Sequence, residues 1–245
     1  MQNPEFSTGM IRPIECFREG WELIKPQYWM MFGITLVGML IGSIVPFGIL
    51  IGPMYCGIYL VIMQMSDGKP PDFGDLFKGF EYFLASFIAT LIFIIPVIIF
   101  SIVTWGSMVG VMLSMTDKRG QVDPSAIFTL YGVMLVEGVV FGIIISCIHA
   151  FVIFAYPLIV ERKMTGMDAF KLSARAAWAN LSGVIGLILC QFVIGFVGYL
   201  ACGVGMYFTF PLMFAGVFIA YRRVFPRAEP FVMDPPPPTA YEGLG

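Results

Sequence analysis

Two residues carry the chemistry that this sequence offers inside its apolar stretches, Glu137 and His149. Glu137 is the one acid within those stretches, and His149 is the one histidine of the chain. A carboxyl or an imidazole in hydrocarbon is costly to hold as an unpaired charge, so both are functional candidates by default. Glu137 lies 23 residues before Val160, about 34 Å along a straight helix. That places it at or beyond the far membrane interface. There water, Lys118 or Arg119 would satisfy it in a structural role; the alternative is a role with a proton, an ion or a substrate. His149 is 11 residues from the same end, about 16 Å, and so near mid-depth. It could relay protons, or as a neutral ring donate to helix backbone. Pro96 sits at similar depth, where it frees the carbonyl of Ile92 and marks a helix kink. Glu137 and His149 stand roughly 120° apart around one helix, so they form no ready pair.

Enzyme templates fail on this sequence. It has no HExxH and no GxSxG motif. One histidine cannot build a multi-histidine metal site. Cys147 and His149 are two residues apart, and such positions diverge on a helix. Aspartyl proteolysis needs two convergent acids, and Glu137 stands alone. The five cysteines, Cys16, Cys56, Cys147, Cys190 and Cys202, form no CxxC pair and read as small buried hydrophobes. No metal and no cofactor is expected.

The elements that position these residues follow from composition. The chain is 245 residues long, 58% hydrophobic and 12% charged, with a mean hydropathy of +0.87. Soluble domains carry roughly 25% charged residues. The balance excludes an ordinary soluble enzyme and points to lipid as the solvent. A net charge of −2 supplies no basic field for nucleic acid. No basic leader precedes a short apolar run, so a cleaved signal peptide is not expected. Apolar runs at 30–45, 47–65, 83–115, 126–160, 181–201 and 206–221 predict an all-α integral membrane protein, with six transmembrane helices in three hairpins. Pro46 suits the first turn. The central pair is too long for one span, so that hairpin either stands taller or tilts and kinks at Pro96. Twelve of the 14 Lys and Arg residues fall on one side of this topology, with Lys118 and Arg119 on the other. The positive-inside rule therefore predicts cytoplasmic termini.

Amphipathic helices precede the hairpins. In 14–28, Phe17, Trp21, Ile24 and Tyr28 share one face, with Arg18 and Lys25 on the other. In 168–181, Phe170, Ala174, Ala177 and Leu181 repeat that phase 153 residues later, with Lys171 and Arg175 opposite. Thr165–Asp168 has the form of a capping box. The middle segment, 72–83, fits loosely, with Phe77-Lys78 echoing Phe17-Arg18 at a spacing of 60. These are interfacial helices of a fold built from repeated units. Four GxxxG pairs are no more than the glycine content gives by chance. Gly106/Gly110 and Gly138/Gly142 nevertheless lie on neighbouring long helices, where close packing is expected. The chain divides into an N-terminal segment 1–13, a single membrane domain 14–225, and a Pro-rich tail 226–245 expected to be disordered.

Three stretches carry a family likeness: Arg18-Glu19-Gly20-Trp21-Glu22-Leu23-Ile24-Lys25; Asp67-Gly68-Lys69-Pro70-Pro71-Asp72-Phe73-Gly74-Asp75-Leu76-Phe77-Lys78-Gly79-Phe80; and Pro157-Leu158-Ile159-Val160-Glu161-Arg162-Lys163 followed by Asp168-Ala169-Phe170-Lys171-Leu172-Ser173. Together they resemble a bacterial group of YciC-like proteins and of the membrane domains attached to some glycerophosphodiester phosphodiesterases. The resemblance implies a six-helix bacterial membrane fold with cytoplasmic amphipathic helices and implies no activity. The expected function is a non-enzymatic subunit or scaffold of a bacterial inner-membrane assembly. Its partners would be lipid and either other membrane subunits or further copies of the chain. A channel or transporter for a small solute, ion or lipid is the alternative, and an intramembrane enzyme comes third.

Overall fold

The computed structural model describes residues 5–44, 48–115, 124–201 and 203–227, and these form helices with no strand among them. The expected turn at Pro46, the bases Lys118 and Arg119, Cys202 and the tail from 228 lie outside the described residues.

Helix α1 (Pro13–Ile24) starts at a proline, whose missing N–H is one that a first turn leaves unbonded anyway. Its buried stripe is Cys16, Phe17, Gly20 and Ile24. Arg18 and Lys25 are exposed as expected, but Trp21 sits at the stripe's edge, 37% exposed. A 3-10 turn at Lys25–Gln27 carries the chain directly into α2 (Tyr28–Ile44). Helix α3 (Ile51–Ser66) follows. Asp72 caps the short α4 (Phe73–Phe77) by accepting from the Gly74 N–H at 2.7 Å. A second 3-10 turn, Lys78–Tyr82, leads into α5 (Phe83–Met115), which runs through Pro96 as one helix.

Helix α6 (Pro124–Val152) is separated from α7 (Ala155–Arg162) by a break at Ile153-Phe154. Broken helices free backbone groups that need partners. Ser173 supplies both. Its hydroxyl donates to the Phe151 carbonyl at 2.6 Å and accepts from the Phe154 N–H at 3.1 Å. Helix α8 (Gly166–Ala179) begins with the expected cap, Thr165 accepting from the Asp168 N–H at 3.3 Å. It buries Ala169, Ser173 and Ala177, each 153 residues after a buried residue of α1, while Lys171 and Arg175 face out. Phe170 is half-buried. Helices α9 (Leu181–Leu200) and α10 (Gly205–Val224) complete the chain. The N-terminal segment is tied down by Asn180, which bonds the Gly9 N–H at 2.7 Å and the Ser7 carbonyl at 3.1 Å.

Helices α2, α3, α5, α6, α9 and α10 touch in that order, and α10 closes the circuit on α2. The amphipathic segments pack on other pairs: α1 on α10, α4 on α3, and α8 on α5, α6 and α7. Each of these packings needs a glycine, and in the third Gly166 of α8 lies against the Ala85 carbonyl of α5. A Cβ on Gly20 would lie 2.8 Å from the Gly216 nitrogen, and one on Gly57 would lie 2.0 Å from the Leu76 carbonyl oxygen.

Among the described residues, four runs are long and apolar enough to cross a membrane: Pro13–Ile44, Phe73–Leu113, Phe128–Arg162 and Leu181–Leu200. The 16-residue α3 falls short, and α10 carries Pro211 and the Arg222-Arg223 pair. Between Thr90 and Ala150 no described residue is buried. The outer parts of α5 and α6 touch each other through Phe100 and Phe141, stacked at 3.8 Å. The glycine contact expected there is not what joins them. Gly106, Gly110, Gly138 and Gly142 all face open space, because bulky rings set the spacing of the pair.

Candidate functional site

A cavity of about 460 Å³ lies among the six ring helices. Met39 comes from α2, Tyr55 from α3, Thr90 from α5, His149 from α6, Gln191 from α9 and Met213 from α10. The break at Ile153-Phe154 falls at this height, since Val152, Ile153 and Tyr156 all contribute to the wall. Among the described residues no Asp, Glu, Lys or Arg lines the cavity.

Its few polar groups fall into two bonded pairs and two unbonded phenols. His149 Nε2 lies 3.1 Å from Gln191 Oε1, so the tautomer protonated at Nε2 donates across from α6 to α9. The expected bond from His149 to helix backbone is not the one formed. Gln191 is the one amide in α9, and in so apolar a segment that rarity was the signal for it. Thr90 donates its hydroxyl proton to the Ser86 carbonyl at 2.7 Å. Its remaining lone pairs accept from the Tyr156 hydroxyl at 3.0 Å. The Tyr55 ring sits edge-on to Tyr156 and Phe214, at 5.3 and 5.0 Å. Tyr59 packs the same way on Phe214 at 5.5 Å. Neither Tyr55 nor Tyr59 has a hydroxyl partner among the described residues, and both line the cavity.

Glu137 belongs to a different place. One turn out from the Phe100–Phe141 stack, the antiparallel pairing of α5 and α6 sets Thr104 opposite Glu137. Glu137 Oε2 and Thr104 Oγ1 are both buried without a hydrogen-bond partner among the described residues. The acid therefore faces its own hairpin seam, not His149.

Ion pairs gather the charged segments. Glu161 accepts from Tyr221 and Arg222, and Arg227 stands 3.4 Å away. Arg227 also bonds both oxygens of Asp67, at 2.5 and 3.1 Å. This bond outweighs burial, which acts the other way, and holds the Asp67 carboxyl below the usual carboxylate range. Arg223 reaches Glu15 at 3.1 Å and Glu19 at 2.6 Å, and Arg175 reaches Glu5 at 2.9 Å. Among the described residues no cluster of three His, Cys, Asp or Glu is placed to hold a metal. No family model, curated protein or solved structure matches the chain.

Proposed function

We propose that this chain is a non-catalytic, six-span protein of the bacterial cytoplasmic membrane whose central cavity takes up a neutral, largely apolar ligand for binding or transport. The observation that carries this reading is the pair of unbonded phenols, Tyr55 and Tyr59, on an uncharged wall. Both hydroxyls open onto the cavity, and covering one with a ligand that gives it no hydrogen bond would cost about 1–3 kcal/mol. A ligand with one hydroxyl, ester or carbonyl group would offset that cost. An ion would not be held, because nothing on the wall compensates its desolvation. The volume lies within the range of about 300–1,000 Å³ typical of small-molecule sites.

The six-span topology, with both termini cytoplasmic, is supported by helices at all six expected places and by ion pairs joining the basic segments. The repeat is supported by the way each amphipathic segment packs on a hairpin other than the one it precedes. The bacterial assignment rests on the motif resemblance. A second reading, a scaffold for other membrane subunits, is favoured by the bare faces of the α5–α6 hairpin, where Trp105 and Phe128 are 70% and 79% exposed.

Binding of a radiolabelled long-chain alcohol to the purified protein in mild detergent tests the ligand reading. The wild type should bind saturably. Ile188→Trp, which fills the cavity from α9, should weaken binding by about tenfold or more, equivalent to about 1.4 kcal/mol. Equal binding by both proteins, or none by the wild type, would sink the proposal.

A further inference from the structure

The cavity's walls differ in how firmly they are closed. Of the six neighbouring pairs around the ring, α6 and α9 touch least. Phe192 of α9 lines the cavity and is 70% exposed. A wall residue so little covered by its neighbours marks a thin place in the wall. On the side of the charged segments the way is filled by Phe154, Phe218 and Tyr221, all fully buried. One polar contact spans the thin seam, the His149–Gln191 hydrogen bond. Against hydrocarbon such a bond has no water to exchange with, yet a single bond between transmembrane helices contributes only about 1 kcal/mol. It can hold the seam shut and still part.

We infer that the ligand enters sideways from the bilayer between α6 and α9, and that His149 and Gln191 form the clasp across this doorway. The inference rests on the cavity reading above and adds a ligand class to it. A doorway in the apolar flank admits a molecule already dissolved in the bilayer, with a single chain and an uncharged, hydrogen-bonding head. As the clasp opens, His149 and Gln191 each lose a partner, and the passing head group can replace it.

The test links the two helices. His149→Cys and Gln191→Cys are combined in the full chain, with Cys147, Cys190 and Cys202 replaced by alanine and the buried Cys16 and Cys56 retained. The native side chains that meet here are long, so the two thiols are joined by a short bis-methanethiosulfonate reagent, which reduction removes. Exchange of bound radiolabelled long-chain alcohol is then timed. The linked protein should exchange about tenfold more slowly than the same protein after reduction, and the reduced protein faster than the wild type. Equal rates with and without the link would overturn the doorway and place entry along the bundle axis, with the cavity reading intact. Absence of saturable binding by the wild type would overturn both. Should the double variant fold poorly, Gln191→Leu alone is expected to speed exchange severalfold, and an unchanged or slower rate would contradict the clasp.

Discussion

His149 and Glu137 stood out in the sequence for the same reason, polarity in an apolar setting, yet the structure gives them unrelated surroundings. His149 bonds Gln191 at the edge of the cavity, and Glu137, on the α5–α6 hairpin, has a carboxylate oxygen buried without a partner among the described residues. Spacing along one helix showed that the two do not pair. It could not show what each does pair with, because Gln191 is 42 residues away and on another element. The tyrosines of the wall were hidden for a different reason. Tyrosine is ordinary in a membrane helix, and an unbonded hydroxyl is a property of packing, not of sequence. The charged end offers a pH prediction at this scale. Asp67 is held below its ordinary range by Arg227, so its contribution is fully present above the unfolded carboxylate range. It is lost as pH falls through the lowered value. Both partners are partly exposed, so the contribution is at most about 1 kcal/mol. Hydrogen exchange at Phe225 and Arg227 should be faster in Asp67→Asn than in the wild type at neutral pH, and the two should converge in acid. Identical exchange at neutral pH would count against the tether.

Helix positions and the cap at Thr165 were readable, because each is a local pattern of residue types, but the face expected on α8 was turned: Phe170 is half-buried and Leu181 38% exposed, while Ala169, Ser173 and Ala177 are buried. The middle segment was misread by one position. The echo at 60 pairs Phe77 with Phe17, but Phe77 is 44% exposed. The buried face is Asp75, Leu76 and Gly79, which lie 59 residues after Cys16, Phe17 and Gly20. The offset of 59 is uniform from α4 into the 3-10 turn; the echo at 60 matched Phe-Lys to Phe-Arg by residue type, whereas the buried register is marked by Gly20 and Gly79. Glycine motifs misled similarly. Close approach of backbones depends on where helices cross, so Gly57 is critical and the Gly138/Gly142 pair is not. Gly57→Ala forces a methyl group into the Leu76 carbonyl and should cost about 1–3 kcal/mol. Gly138→Ala, on an open face, should be neutral or slightly stabilising through its better helix propensity. Thermal unfolding in detergent distinguishes them, and equal shifts would contradict the packing described here.

At the scale of the whole molecule, the scarcity of charge assigned the chain to the membrane, and the placement of those charges set which segments meet. Ion pairs from Glu15, Asp67 and Glu161 to the arginines after Tyr221 draw three parts of the sequence to one end. Nothing in the sequence announced a cavity. It exists because six helices, each ordinary alone, close a ring around a gap that the α6–α7 break helps to shape. Its uncharged wall, unbonded phenols and thin flank lead to the central claim, a site for a neutral lipid-like ligand. Native mass spectrometry of the intact protein released from mild detergent tests that claim most directly. The wild type should carry an adduct of lipid mass that extraction identifies as a neutral single-chain amphipath, and Ile188→Trp should lose it. Wild type and variant carrying the same adducts, or a wild type carrying none, would contradict it.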